Sequence, residues 1–386
     1  MPVSVPTPVL QFGTSRFLQA HADLFISEAM QRGEAIGGIT VVQTTASAES
    51  ATRIHAFNDG TGYPVLIRGL EHGVPVDETK RGWAVQRALQ ADHDWSEVRG
   101  IAVMQAEIIL SNTGEQGFVL DPRDGEHLAG DFGQVPRAFP AKLLTLLYER
   151  WLLRPEAPLS LFPCELMSRN GDRLRDIVCV LAADWKLPDG FISYMRDHCR
   201  WANSLVDRIV SEPIHPVGAV AEPYALWAIE RQDGLLLPCR HDALVVTDDL
   251  DTFERLKLHL LNLGHTCLAE LWLVEKGPAG MTVLDALGDP AMRQTLEAVW
   301  HEEVLPVFHA RGMGDLAEDY VRQVRERFLN PYLVHRLADI AQNHDEKKRR
   351  RLIPVIENAR ELGLQIPQSR LREAVARLPH MEAPAC

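Results

Sequence analysis

The sequence predicts an α/β protein: a doubly wound parallel sheet followed by a mainly α-helical second domain. Three observations point there. Short apolar, β-branched runs alternate with helical patterns through the first half of the 386 residues, and strand–helix–strand units of that kind close with a right-handed parallel crossover. After Asp249 the pattern is helix upon helix to the end. Apolar content of 46% and charged content of 24% are those of an ordinary globular chain, long enough for two domains with cores of their own.

In chain order, "PVLQFG" at 8–13 is a strand ending in glycine, and "SRFLQAHADLFISEAMQRG" at 15–33 a helix stopped by Gly33. "GGITVVQTT" is a second strand and "SAESATRIHAF" a helix, whereas "YPVLIRGLEHGVPVDE" at 63–78 has the alternation of a hairpin. "VRGIAVMQA" and "EIILSNTGEQGF" are expected to add buried strands. "PLSLFPCELMSRNGDRLRDIVCVLAADW" is a strand, a loop at Asn170–Gly171 and a helix, and "DALVVTDD" is the last strand. The domain boundary is therefore placed at 249/250, giving domains 1–249 and 250–386. "LNP" at 329–331 is the clearest break among the later helices, and no internal repeat is visible.

Net charge is -13, which argues against a nucleic-acid or anionic-membrane partner. The six cysteines are scattered without a CxxC pair, so neither a zinc site nor a disulfide framework is expected, and reduced thiols fit. "MPVSVPTPVL" has no basic and apolar leader pattern, and no window has the apolar length of a membrane span. A cytoplasmic protein is expected.

Three constellations could carry chemistry. "FGTSRF" sits at a strand-to-helix turn, where Gly13 would let backbone N–H groups approach a pyrophosphate. Gly13 stands alone there, however, and "VVQTT" lacks the acid that holds an NAD ribose. "ERLKLHLLNLGHTCLAELWLV" at 254–274 carries Lys257, Asn262 and His265 in an apolar helix. At about 100° per residue they lie with Glu254 on one arc roughly 140° wide, either a cleft lining or a solvated stripe. "CELMSRNGDRL" places Asn170–Gly171 where a helix cap is the plain structural reading.

Taken in order, these pieces resemble the polyol-specific long-chain dehydrogenases, the family of mannitol 2-dehydrogenase, fructuronate reductase and tagaturonate (altronate) reductase. "QFGTSRFLQAHADLF" resembles the family's nucleotide loop and "SNTGEQGF" its SNTTEAGI-like strand and turn. "PCELMSRNGDRL" is similar to the PCELIDxNGDxL of the sugar-acid members, and "VTDDLDTFERLKLHLLNLGHT" and "RFLNPYLVHRLADIAQNHDEKKRRRLIP" have counterparts too. The Lys-x4-Asn-x2-His arrangement is the specific element. Ser15 and Gln19 depart from the family loop, where glycine and arginine are usual.

The resemblance implies a Rossmann-type NAD(P) domain, a helical substrate domain, and metal-independent oxidation of a secondary alcohol. Lys257 matches the catalytic lysine, Asn262 and Asn170 the amides on the substrate oxygen, and His265 a substrate-orienting histidine. Glu254 matches a carboxylate that gates proton exit. Gly13, Thr14, Ser15, Arg16, Phe17, Gln43 and Asn112 would line the dinucleotide, with NAD expected because no arginine directly follows "VVQ" and NADP left open as the alternative. Lys347, Arg349 and Arg169 are the cations for a sugar-acid carboxylate. The competing readings are a structural Glu254–Lys257 ion pair, a Schiff-base lysine enzyme, the same chemistry on mannitol or arabinitol, and a non-catalytic dinucleotide sensor.

Overall fold

The computed structural model describes residues 5–45, 48–114 and 116–379. Two compact units emerge: the chain up to Ile67 together with Glu78–Leu250, and Arg68–Asp77 together with the chain from Asp251 onward.

The first unit is built on six parallel strands. They are β1 (Val9–Phe12), β2 (Ile39–Gln43), β5 (Val85–Gln90), β6 (Ile108–Ser111), β7 (Leu159–Pro163) and β8 (Cys199–Trp201), in the order β5-β2-β1-β6-β7-β8. Strand order reverses at β1, so the loops after β1 and β6 leave side by side, the place where open α/β sheets bind ligands. Side chains alternate across the pleat. Leu10 and Phe12 enter a core with helices Ala91–Met104, Phe139–Leu153 and Asn170–Asp184. On β7, Phe162 instead meets Trp227, ring centroids 5.7 Å apart.

Two elements differ from expectation. "VRGIAVMQA" is the end of helix Ala91–Met104, not a strand. Trp95, Val98, Ile101 and Ala102 are among its buried positions, a spacing of three and four that fits a helix lying on one side of a sheet. The helix after β1 is also not continuous: one turn, Arg16–Gln19, stops at Ala20, and Ala22–Arg32 follows, closed by Gly33 at φ 72°. "DALVVTDD" does form a strand, Leu244–Thr247, but in a separate three-stranded sheet.

The segment 63–78 is a hairpin, β3 (Tyr63–Glu71) and β4 (Val74–Gly82), turning at His72 and Gly73 with φ of 52° and 75°. Positive φ at both central residues suits a two-residue hairpin turn. Its end belongs to the second unit rather than to the first. There the Arg68 carbonyl accepts from Asn330 Nδ2 at 3.0 Å, and the Arg68 guanidinium lies 5.7 Å from the centre of the Tyr332 ring.

The second unit is helical, and its central helix is not a regular α-helix. After Leu250–Leu256, residues Lys257–Asn262 form a π-helical turn in which Leu263 N–H donates to the Leu258 carbonyl; Leu263–Glu275 is α-helical again. A second π turn, Val299–Val304, supplies the fully buried Trp300, whose indole N–H donates to the Leu260 carbonyl at 3.2 Å. Such turns loosen the backbone ladder, and the indole takes up a carbonyl on the first of them.

Gly264 is where this helix meets its neighbours: a Cβ there would lie 2.8 Å from Trp300 Cζ2 and 3.2 Å from Phe328 Cε2. Gly264→Ala is accordingly expected to destabilise the protein by about 1–3 kcal/mol through overpacking, despite alanine's better helix propensity. Thermal melting checks this; an unchanged or raised Tm would contradict it.

Candidate active site

The loop after β1 has a shape that only glycine supports. Gly13 sits at φ +114°, and a Cβ would stand 2.5 Å from the Asn112 carbonyl oxygen. The loops after β1 and β6 are thus in backbone contact, and an L side chain would both strain and separate them. Ser15 caps the following turn by accepting from Leu18 N–H at 3.2 Å and donates to Asn112 Oδ1 at 3.2 Å. Asn112 Nδ2 donates to the Cys164 carbonyl at 2.8 Å. Ser15 therefore ties the loop after β1 to its neighbour, a link glycine could not make. Gln19 is buried; its amide spans the Thr14 carbonyl at 3.0 Å and Gly218 N–H at 2.8 Å. It props the loop from within its own unit.

Thr14 donates to Gln43 Oε1, and Gln43 Nε2 donates to Thr45 Oγ1 at 2.6 Å. Arg53, overlooked in the sequence, reaches Thr14 Oγ1 at 3.1 Å and Glu49 at 2.6 Å. Its place was legible as the i+4 partner of Glu49 in the helix after β2. Arg16 is exposed and Phe17 half-buried, stacked on His21 at 4.8 Å. Gly13, Thr14, Ser15, Arg16, Phe17, Gln43 and Asn112 are thereby brought together at the carboxyl ends of β1, β2 and β6. A cradle that a Cβ would fill, with polar side chains braced around it, fits a dinucleotide. Glu165 braces the same corner, accepting from Thr113 N–H and Oγ1 at 2.9 Å and Ser111 Oγ at 3.1 Å; burial raises its carboxyl pKa.

Asn170 corrects an expectation. It is fully buried at the start of helix Asn170–Asp184. Its Nδ2 donates to the carbonyls of Pro163 (2.8 Å), Ser204 (3.0 Å) and Glu165 (3.2 Å), and its Oδ1 accepts from the N–H groups of Ser204 (2.9 Å) and Gly171 (3.0 Å). An amide has two N–H donors and two acceptor positions, and backbone fills them all. It is a brace, with nothing left for a substrate oxygen. Arg169 beside it is held by Asp172 at 2.5 Å and Glu230 at 3.6 Å, a partnership that sets it apart from the carboxylate-binding role expected of it.

In the second unit the π turn changes the angular reading of Lys257, Asn262 and His265. Five residues there cover the rotation that four cover in an α-helix, ~400°, so Asn262 lies about 40° from Lys257 instead of roughly 140°. Three α-helical steps further, His265 comes to about 20° on the other side. The three form a column on one face, with Glu254 about 60° away. Lys257, Asn262 and Glu254 are half-buried and His265 is buried.

His265 stacks on Phe328, centroids 4.4 Å apart, and meets His335 edge-on at 4.7 Å. Burial first, then His335 and the charges of Arg351, Arg327 and Lys347, hold its pKa well below the usual imidazole value. Burial also lowers that of His335. Both rings are neutral at neutral pH. His265 Nε2 and His335 Nδ1 are buried without a hydrogen-bond partner among the described residues, which marks a place for polar groups of a ligand.

Lys347 donates to the Ile340 carbonyl at 2.8 Å. Arg349 is not with it: its Nη2 is turned to the Pro379 carbonyl at 3.5 Å, and it lines a cavity of about 580 Å³ with Glu270, His344, Lys348 and Arg377. The residue that shares the face of Lys347 is Arg351, four positions on, and that spacing was the signal in "KKRRR". Among the described residues no group of three His, Cys, Asp or Glu side chains is arranged to hold a metal ion, and no helix is long and apolar enough to cross a membrane.

Asn170→Ala would strip buried backbone groups of their partners and is expected to cost about 2–4 kcal/mol of stability; an unchanged Tm would contradict the brace. His265 sets a pH dependence. Its folded pKa lies below the unfolded 6.5, so the unfolded chain takes up the proton first. Stability present above pH 6.5 is lost as pH falls from there through the folded value. His265→Phe should flatten that slope in a Tm-against-pH series; an identical slope would refute it.

Family models for the mannitol dehydrogenase Rossmann domain and the mannitol dehydrogenase C-terminal domain match residues 7–235 and 249–382. The altronate oxidoreductase of Bacillus subtilis (strain 168) is 31% identical, across 94% of this chain and 77% of that protein. That of Klebsiella pneumoniae (strain 342) is also 31% identical, across 97% and 79%. Among solved structures, D-sorbitol dehydrogenase in substrate-free form superposes with a TM-score of 0.81 at 19% identity, covering 97% of this chain and 80% of that one. The Pseudomonas fluorescens mannitol 2-dehydrogenase ternary complex with NAD and D-mannitol gives 0.73 at 18%, covering 96% and 78%. With both of its domains matched in order along one chain, the protein belongs to the mannitol dehydrogenase family.

Proposed function

We propose that this enzyme interconverts the secondary alcohol and the ketone of a sugar acid, altronate/tagaturonate-like or mannonate/fructuronate-like, with Lys257 as general acid and base. Family membership makes it an oxidoreductase of CH–OH groups that uses an NAD-type dinucleotide. The observation that carries the finer reading is the column Lys257–Asn262–His265, with Lys347, Arg351 and Arg327 gathered around its histidine end. A carboxylate needs such cations, and a neutral polyol does not. The relatives named altronate oxidoreductase point the same way.

When bound, the nicotinamide accepts the hydride in oxidation and returns it in reduction; the loop Gly13–Phe17 and Asn112 would hold the dinucleotide. Lys257 removes the hydroxyl proton as the alcohol is oxidised and restores it as the ketone is reduced. The half-buried Asn262 amide donates to the same oxygen as negative charge develops there. Neutral His265 orients a substrate hydroxyl, and Glu254, three residues before Lys257, relays its proton. NAD is proposed over NADP because Arg53, the guanidinium beside Gln43, already faces Glu49; a kinetic preference for NADP would reverse that assignment.

Lys257→Ala tests the role. A general base predicts a folded protein that still binds dinucleotide and loses on the order of 100-fold to 10,000-fold in turnover. The rise of oxidation with pH should vanish with it. Near-normal turnover with a lowered Tm would instead make Lys257 half of a structural ion pair with Glu254.

A further inference from the structure

The C-terminal edge of the π turn is held from outside by Arg351. Arg351 Nη1 donates to the Asn262 carbonyl at 3.2 Å and to Thr266 Oγ1 at 2.9 Å, and Thr266 Oγ1 itself donates back to the Asn262 carbonyl at 2.9 Å. The backbone carbonyl of Arg351 accepts from the buried His259 ring at 3.1 Å. Arg351 thus grips the segment at His259, inside the π turn, at Asn262, its last residue, and at Thr266, one α turn beyond. Burial pulls the guanidinium pKa down to about 10, so it remains charged at neutral pH and its hydrogen bonds are charge-assisted.

We infer that Arg351 is a positioning residue: it fixes the π turn and so sets Asn262 beneath Lys257. Without the clamp the helix is free to relax to α-helical hydrogen bonding, which rotates Asn262 about 100° away from Lys257. The Leu260 carbonyl held by Trp300 does not replace it, since that bond lies on another side of the turn from Asn262 and Thr266. The inference rests on the proposed roles of Lys257 and Asn262, but its structural half can be read without any turnover.

The test compares Arg351→Gln, Thr266→Val and Thr266→Ser with the unaltered full chain. Amide hydrogen exchange is followed over 257–266, and kcat and KM are measured with NAD on a sugar acid and on a neutral polyol. The clamp predicts that Arg351→Gln speeds exchange of the Leu261–Leu263 amides at least about 10-fold and lowers kcat about 100-fold, as misplacement of a catalytic group does. That loss should be equal for both substrates, with dinucleotide affinity unchanged. Thr266→Val should shift both readouts in the same direction, and Thr266→Ser, which keeps the hydroxyl, should restore them. Unchanged exchange with a raised KM for the acid alone would overturn the clamp and leave Arg351 only its share in binding the carboxylate. If the unaltered protein oxidises neither substrate, the functional reading fails and exchange alone decides the clamp. Should Arg351→Gln not fold, the Thr266 pair decides it: identical exchange in Val and Ser variants would overturn it.

Discussion

One extra residue in one helical turn is the constraint on which the candidate chemistry depends. A lysine and an amide five residues apart cannot share a line on an α-helix, yet a base and a hydrogen-bond donor meant for the same oxygen must. The π turn at Lys257–Asn262 resolves this, and much of the second unit serves to keep it. Trp300 takes a carbonyl on the turn, Gly264 lets Trp300 and Phe328 close on the helix, and Arg351 holds the C-terminal edge. π turns are weaker than α turns and persist where surrounding groups over-determine them.

The first unit shows the complementary use of polar residues. Asn170, Gln19 and Glu165 are buried amides and a buried carboxyl, and each lies close to where a dinucleotide loop would be. Each hydrogen-bonds to backbone of a loop that leaves the sheet: Gln19 after β1, Glu165 after β6 and Asn170 after β7. Removing such a partner costs more than the bond contributes, so the loops are rigid because their alternatives leave orphaned groups. Asn262 is the contrast: half-buried, with no partner for its side-chain amide among the described residues. Two asparagines that look alike in a motif differ in what remains of their hydrogen-bonding capacity.

That distinction bounds what the sequence could reveal. The parallel sheet, the hairpin and the helical second half follow from periodicities of two and three to four, and those were legible. The Lys-x4-Asn-x2-His spacing was visible, but its meaning was not. A rotation of 100° per residue spreads it over an arc, and no propensity marks where a helix takes in an extra residue. "VRGIAVMQA" looked like a strand because short apolar runs fit either period; Trp95 upstream, in step with Val98, decides for the helix. Arg351 was hidden among five consecutive basic residues. Their faces depend on where the helix starts, and His344–Arg351 sets that phase so that Lys348 is buried and Lys347 and Arg351 share a face that Arg349 does not.

The charges around His265 bear on what the site would accept. In a chain of net charge -13, Arg351, Arg327 and Lys347 concentrate positive potential on one buried imidazole. Burial first, and the neighbouring cations after it, keep both rings neutral, each able to offer one N–H and one lone pair. Neutral imidazoles with open nitrogens match hydroxyl groups, which donate and accept, while the cations match a group that carries full negative charge. Neither set alone asks for a sugar acid, because hydroxyls suit any polyol and a carboxylate suits any small acid. Their conjunction beside the Lys257 column is what favours, on the proposed reading, a substrate bearing several hydroxyls and one carboxylate.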